Sequence, residues 1–151
     1  MRGQQLRVDL LTPGSDRDDA PVWIPRWNAA AAPIKYLSLL LADAVPAAAV
    51  NGGAILVSVP TPARFAVHKL LVSQTRSVVQ QTKAPKDLQQ AALLLEVLAE
   101  DRPDDVIAAC AAFAKAGPAV TRKVVRGAQM AKKRFAEAAD GVSLVLDELA
   151  D

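Results

Sequence analysis

Two closely spaced prolines, Pro60 and Pro62, divide this chain into parts of different pattern. Before them, short apolar runs are separated by turn residues, as is typical of strands. After them, apolar residues recur at helical spacing almost to the end of the chain. Proline ends a strand and is accepted in the first turn of a helix. The sequence therefore predicts an α+β protein, with a mixed sheet in an α/β domain at residues 1–62 and a C-terminal helical bundle at residues 63–151.

Two single strands and a hairpin are predicted before the prolines. Residues 6–11 alternate in polarity, and residues 21–25 read as an edge strand because prolines bracket them. A hairpin is predicted over residues 47–59, around Asn51-Gly52, the usual two-residue turn signal. A helix over residues 33–43 completes this part.

Asp9 lies in the middle of the first predicted strand, among aliphatic residues. A carboxylate in such a place is costly unless it is exposed, paired or bound to a metal ion. The residues alone leave two explanations open. Asp9 is either an acid on a solvated sheet face, for instance paired with Arg7, or a metal ligand.

The second half of the chain predicts a series of helices. The first covers residues 63–81, the second starts at Pro85 and the third at Pro103. A basic helix over residues 118–139 follows, and a break at Asp140-Gly141 precedes a short apolar tail.

The charges around the first two of these helices are regularly placed. Lys69 and Arg76 lie seven residues apart, so on a continuous helix they would stack on one face. Asp87 falls in the first turn of the next helix, where an acid faces the positive end of the dipole. The whole charged set comprises Arg64, His68, Lys69, Arg76, Lys83, Lys86 and Asp87. It suits a polyanion such as a triphosphate, and a solvated charged face is the alternative.

The basic helix has two interpretations as well. Arg122, Arg126 and Lys133 form a stripe along it. This stripe is either a solvated face or a surface for a protein partner or a nucleic acid. The formal net charge of the chain is only +2, so any basic patch must be local.

Composition excludes several classes of protein. A single histidine and a single cysteine argue against a zinc site, and Cys110, in an apolar run, is expected to be buried. Core packing is favoured over base stacking for Trp23, Trp27 and Tyr36. No signal-peptide pattern and no apolar run of the ~18 residues that a membrane span needs is found, so we expect a cytoplasmic protein without a membrane partner.

Four segments between residues 6 and 98 carry a resemblance to a known family. They read L-R-V-D-L-L-T-P, then V-S-V-P-T-P-A-R-F-A-V-H-K-L-L, then Arg76, then K-x-x-K-D-L-x-Q-A. In this combination the chain resembles a bacterial family of nucleotidyltransferase-fold proteins in the DNA polymerase beta-like superfamily. It is similar, more distantly, to the nucleotidyltransferase toxins of abortive-infection systems, which share a Lys…Arg…Lys-Asp signature.

The resemblance implies an activity and a site. Three carboxylates on a mixed sheet would hold two Mg²⁺ ions, which position a nucleoside triphosphate for in-line attack by an acceptor hydroxyl. It implies that Asp9 is a catalytic carboxylate and metal ligand. Lys69 would be catalytic and contact the triphosphate, while Arg76 and Lys86 support it and Asp87 orients these cations. Arg64 belongs to the implied nucleotide-binding set, and an RNA is one expected acceptor.

The chain departs from the family in one respect. The family's Gly-Ser helix start and paired Asp-x-Asp precede the strand that corresponds to Asp9, whereas only eight residues precede Asp9 here. Residues 14–18 contain Gly-Ser and Asp-x-Asp, but the aspartates follow at once and no helix fits between. We therefore expect an N-terminally truncated protein that is inactive alone, completed by a missing N-terminal half or a partner protein. A helical binding module without catalysis is the alternative.

Overall fold

The computed structural model describes residues 8–14, 20–76 and 82–150, without the side chain of Glu137. Contacts between residues divide the chain into two units, Met1–Ser38 and Leu39–Asp151. Both units together give an α+β protein, as predicted. The domain boundary predicted between residues 62 and 63 stays a prediction.

A small mixed sheet forms the first unit. Its strands are β1 (Leu11–Gly14), β2 (Val22–Ile24) and β3 (Ala29–Lys35), in the order β1-β3-β2. β1 runs parallel to β3, with Leu11 opposite Ala32, and β2 runs antiparallel to it. The mixed sheet predicted from the sequence is therefore confirmed.

Two sequence predictions in this unit are wrong. The first strand begins at Leu11, directly after Leu10, whose carbonyl oxygen accepts a hydrogen bond from the Ala32 amide at 2.8 Å. Residues 8 and 9 precede this pairing, and residues 6 and 7 lie outside the described part. The helix predicted over residues 33–43 is instead the end of β3 followed by a five-residue helix, α1 (Leu37–Leu41). Over residues 33–35, pairing with β1 holds the chain in a strand although the local pattern indicates a helix. Tyr36, at φ 62°, turns the chain between the two elements.

The core packing predicted for the tryptophans is also wrong. Trp23 and Trp27 are 58% and 60% exposed. Trp23 lies on a three-residue strand and Trp27 in the 3-10 turn that follows it, so neither belongs to an element long enough to bury a large ring.

The predicted hairpin opens the regular structure of the second unit. β4 (Val45–Val50) pairs antiparallel with β5 (Ala54–Val59). Its loop holds three residues rather than the predicted two, since Val50 pairs with Ala54, and among the loop residues only Gly52 takes a positive φ, 67°. Val50, Ile55 and Leu56 are largely exposed. The ribbon therefore adds little to the core.

Five helices form the rest of this unit. They are α2 (Pro62–Ser73), α3 (Ala84–Asp101), α4 (Pro103–Ala114), α5 (Pro118–Arg134) and α6 (Ala139–Glu148). The buried apolar side chains that the structure describes in this unit all lie between Ala63 and Leu149. Cys110 is among them, as predicted. No described helix is both long enough and apolar enough to cross a membrane.

Three helix boundaries differ from the predicted ones. α2 ends at Ser73 rather than residue 81, and residues 77–81 lie outside the described part. α5 ends at Arg134 rather than residue 139. The predicted break at Asp140-Gly141 is wrong, because both residues belong to α6 and the interruption is a 3-10 turn just before it.

Two glycines allow helices to pack at short distance. A Cβ at Gly127 of α5 would lie 2.3 Å from the backbone oxygen of Leu70 in α2. A Cβ at Gly141 of α6 would lie 2.3 Å from the backbone carbon of Leu95 in α3. Gly141 was misread as a helix breaker because a glycine that breaks a helix and one that permits a close crossing look alike in sequence.

Candidate functional site

Two cations converge on one buried carboxylate in the second unit. Lys69, on α2, donates a hydrogen bond from Nζ to Asp87 Oδ1 at 2.9 Å. Arg76, three residues past the end of α2, donates from Nε to Asp87 Oδ2 at 2.5 Å and places its Nη2 at the same distance from that oxygen. We call these three side chains the Asp87 cluster.

Local sequence places each member of the Asp87 cluster. Pro85 lies in the first turn of α3, and the carboxylate of Asp87 follows in that turn, where the helix dipole stabilises negative charge. Lys69 lies with its Nζ 5.0 Å from the ring centre of Phe65, one helical turn earlier. Arg76 does not stack with Lys69 on a continuous helix, as the seven-residue spacing predicted, because α2 has already ended. The two cations meet because each reaches Asp87.

Burial is unequal within the Asp87 cluster. The Asp87 side chain is 4% exposed, whereas Lys69 and Arg76 are 19% and 20% exposed. Burial raises the pKa of Asp87, but hydrogen bonds from Arg76 and Lys69 outweigh that effect and hold the pKa below its usual value. The carboxylate of Asp87 is therefore ionised near neutral pH.

His68 lies next to this cluster in the chain and is buried, with 7% exposure. Its Nε2 has no hydrogen-bond partner among the described residues. Burial lowers the pKa of His68 to about 4, and the neighbouring charge of Lys69 adds to the effect. His68 is accordingly a neutral packing residue at physiological pH and adds no positive charge to the set in which the sequence placed it.

Arg64 and Lys86 of the implied nucleotide-binding set lie outside the Asp87 cluster. Arg64 donates to the backbone oxygen of Leu39 at 3.0 Å and forms an ion pair with Asp43. Asp43 could not be named as its partner from the sequence, because the two residues are 21 positions apart and no local pattern marks Asp43. Lys86 is exposed in the first turn of α3, beside Asp87 in the chain.

Asp9 lies in the first unit. It is exposed, precedes β1, and lines a cavity of about 470 Å³ together with Leu11, Pro21 and Ala30. Among the described residues, no three acidic, histidine or cysteine side chains are grouped closely enough to hold a metal ion. The described residues therefore do not fit a site for two Mg²⁺ ions, and we derive no step through magnesium. The aspartates of residues 15–19 lie outside the described part.

The structure also brings two arginines that the nucleotide interpretation did not include next to Arg76. Arg126 and Arg134 of α5 line, with Arg76, a cavity of about 420 Å³ at the start of α3. Their spacing of eight residues puts them on neighbouring positions of one helix side. This spacing was the available signal, but which helix α5 faces could not be read from it.

Comparison with known proteins gives one match. A sequence model of a family described as "Nucleotidyltransferase" matches residues 1–115, a range that contains the mixed sheet, the hairpin and the Asp87 cluster. No curated protein and no solved structure matches the chain.

Proposed function

The chain belongs to a nucleotidyltransferase family, and from that premise we propose that the Asp87 cluster, with Lys86, binds the triphosphate of a nucleoside triphosphate whose nucleotidyl group is transferred to an acceptor. Family membership supports general nucleotidyl transfer. The observation that carries the proposal is the convergence of Lys69 and Arg76 on buried Asp87. A buried acid that fixes two partly exposed cations gives them defined positions for an anion.

The chemistry of the cluster fits phosphate oxygens. Lys69 has three ammonium N–H groups, one of which is directed to Asp87. Arg76 binds Asp87 through Nε and Nη2, and its Nη1 has no hydrogen bond to a described residue. Because the side chains of Lys69 and Arg76 keep 19% and 20% of their surface exposed, a triphosphate that reaches their remaining donors gains charge-assisted hydrogen bonds. Lys86 adds a further cation from the first turn of α3.

Asp9 and magnesium concern the transfer step, which is separate from triphosphate binding. Asp9 is the carboxylate that would face a metal ion, and the described residues supply no carboxylate trio around it. The proposal therefore assigns triphosphate binding to this chain. It further holds that residues 1–151 by themselves do not transfer nucleotide.

Binding can be tested with the whole chain. We expect ATP, GTP, CTP or UTP, or inorganic triphosphate, to raise the melting temperature, and Lys69→Gln to abolish that shift. Inorganic triphosphate as a probe separates recognition of phosphate from recognition of base. Arg102→Gln is the matched control, because Arg102 pairs with Asp105 at an exposed surface. Equal shifts for the parent and Lys69→Gln would contradict the proposal.

Transfer can be tested with the same material. Incubation with α-labelled nucleoside triphosphates, with Mg²⁺ or with a chelator, is expected to leave no labelled acceptor. Sustained Mg²⁺-dependent labelling by residues 1–151 would overturn the claim that they do not transfer nucleotide. It would leave the proposed triphosphate-binding site unaffected.

A further inference from the structure

Two cavities lie side by side along α5. The first, of about 420 Å³, is lined by Arg76, Arg126 and Arg134. The second, of about 780 Å³, is lined by Arg122 and again by Arg126. Gln74 also lines both, so the cavities adjoin. We call the two together the α5 groove.

The α5 groove is strongly basic. Arg122, Arg126 and Arg134 are exposed, and none of them forms an ion pair with a described residue. Among the described residues that line the groove, none is acidic. In a chain of net charge +2, this concentration of cations marks a local anion-binding surface.

The α5 groove is also long. From Arg122 to Arg134 the helix rises about 18 Å, and Arg122 and Arg126 are separated by about one helical turn. A single phosphate would occupy a small part of this length. A ligand that matches it carries negative charges in a row.

We infer that the α5 groove binds the phosphodiester backbone of a single-stranded nucleic acid. The guanidinium fork matches phosphate oxygens in a bidentate way, and a row of arginines matches successive phosphates. No aromatic residue is found among the described lining residues, so the stacking that single-strand binders use to hold bases is not provided there. Binding through the α5 groove is therefore salt-dependent and nearly independent of sequence.

The groove meets the Asp87 cluster at Arg76. Arg76 lines the smaller cavity and binds Asp87. A strand in the groove would therefore pass beside the proposed triphosphate site, which makes that strand a candidate acceptor. This last step rests on the proposed function, whereas binding of the strand does not.

The test measures binding of fluorescent 12-mers of uridylate RNA and thymidylate DNA to the whole chain by anisotropy. We expect the double variant Arg126→Ala, Arg134→Ala to bind at least tenfold more weakly. If both side chains contact phosphates, the slope of log K against log salt falls by about 1.4, since each contact on a single strand contributes ~0.7. Tighter binding of RNA or of DNA identifies the source of the strand, and binding of either supports the inference.

Control variants test whether the loss of binding is specific to the α5 groove. Lys115→Ala with Lys132→Ala removes two exposed charges outside the groove lining and is expected to change affinity less than twofold. If the double variant is too unstable to use, Arg122→Glu replaces it, because this is a single change at an exposed position. Arg122→Glu is also expected to weaken binding of the oligonucleotide. Equal losses in groove and control variants, or no binding by the parent, would overturn the inference. Competition by polyglutamate as effective as that by the oligonucleotide would overturn it too.

Nucleotide binding by the same variants separates this inference from the proposed function. The double variant Arg126→Ala, Arg134→Ala is expected to keep the nucleotide-induced shift in melting temperature but to bind the oligonucleotide only weakly. If both ligands are lost together, the groove is part of the triphosphate site and the inference fails. If the parent binds the strand but no nucleotide, the proposed function fails and the groove stands.

Discussion

At the scale of single residues, Asp87 organises the candidate site. It is nearly buried, yet it accepts hydrogen bonds from both Lys69 and Arg76. Removing Asp87 would leave Lys69 and Arg76, both mostly buried, without the counter-charge that they share, which destabilises the fold. Asp87 therefore has a structural role in joining α2 to α3 besides the proposed role in positioning cations.

His68 predicts a pH dependence of stability. Its pKa is about 4 in the folded chain and close to 6.5 when unfolded, so between these values the unfolded chain binds a proton that the folded chain does not. Stability should fall as the pH drops from 6.5 to 4, by up to about 3 kcal/mol, and change little above 6.5. Urea unfolding at pH 7, 5.5 and 4.2 measures it.

His68→Gln is the control for this prediction, because glutamine does not titrate. The variant should lose the part of the pH dependence that lies between 6.5 and 4. Asp87 acts in a lower range, since the stabilisation that its lowered pKa contributes is lost only as the pH falls below its ordinary value of 3.8. Identical pH profiles for parent and variant would contradict the assignment to His68.

At the scale of elements, prediction succeeded where local chemistry decides. Pro62, Pro85 and Pro103 each open a helix, as proline in a first turn should, and the hairpin forms around Gly52. It failed at residues 33–35, where pairing with β1 extends β3 into a segment whose local pattern predicts a helix. Partners distant in sequence decide such a segment, and local pattern does not contain them.

The candidate site was predictable to a similar extent. Lys69, Arg76 and Asp87 could be named from the sequence, because charge spacing and helix-start chemistry are local signals. Their mutual bonds depend on how α2 packs against α3, and the same holds for Arg126 beside Arg76. Tertiary packing of this kind leaves no trace in one sequence.

The close helix crossings predict an unusual effect of glycine replacement. Gly127→Ala should destabilise the protein by about 1–3 kcal/mol, although alanine is ~1 kcal/mol more favourable than glycine in a helix. The added methyl group would clash with the backbone of Leu70, which cannot change rotamer as a side chain can. Thermal unfolding measures the loss. Gly53→Ala, with no atom within 4 Å of the added carbon, is the neutral control. A Gly127→Ala protein more stable than the parent would rule out the close crossing.

At the scale of the whole molecule, the core is unevenly distributed. The structure describes only two buried apolar side chains before Ala63, namely Ala31 and Leu37. The remaining ones lie in α2 to α6 and in the residues next to them. The helical part therefore supplies most of the hydrophobic stabilisation among the described residues.

A shortened chain tests this distribution. Residues 60–151 should fold alone, with a helical circular-dichroism spectrum and a cooperative melt. The cut removes the ion pair of Arg64 with exposed Asp43 and the hydrogen bond of Arg64 to the backbone oxygen of Leu39, together worth about 2 kcal/mol. The melting temperature should therefore fall by no more than about 16 °C. A fragment without a cooperative transition would show that residues before 60 stabilise the helices more than their burial indicates.

The burial of Cys110 allows its reactivity to report unfolding of the helical bundle. The thiol is 1% exposed in α4, and burial raises its pKa to about 12. A thiol reagent therefore meets neither an accessible sulfur nor a thiolate while the bundle is closed. Because the chain has no second cysteine, the rate at which Cys110 is alkylated reports opening of the helical bundle, and no label has to be introduced.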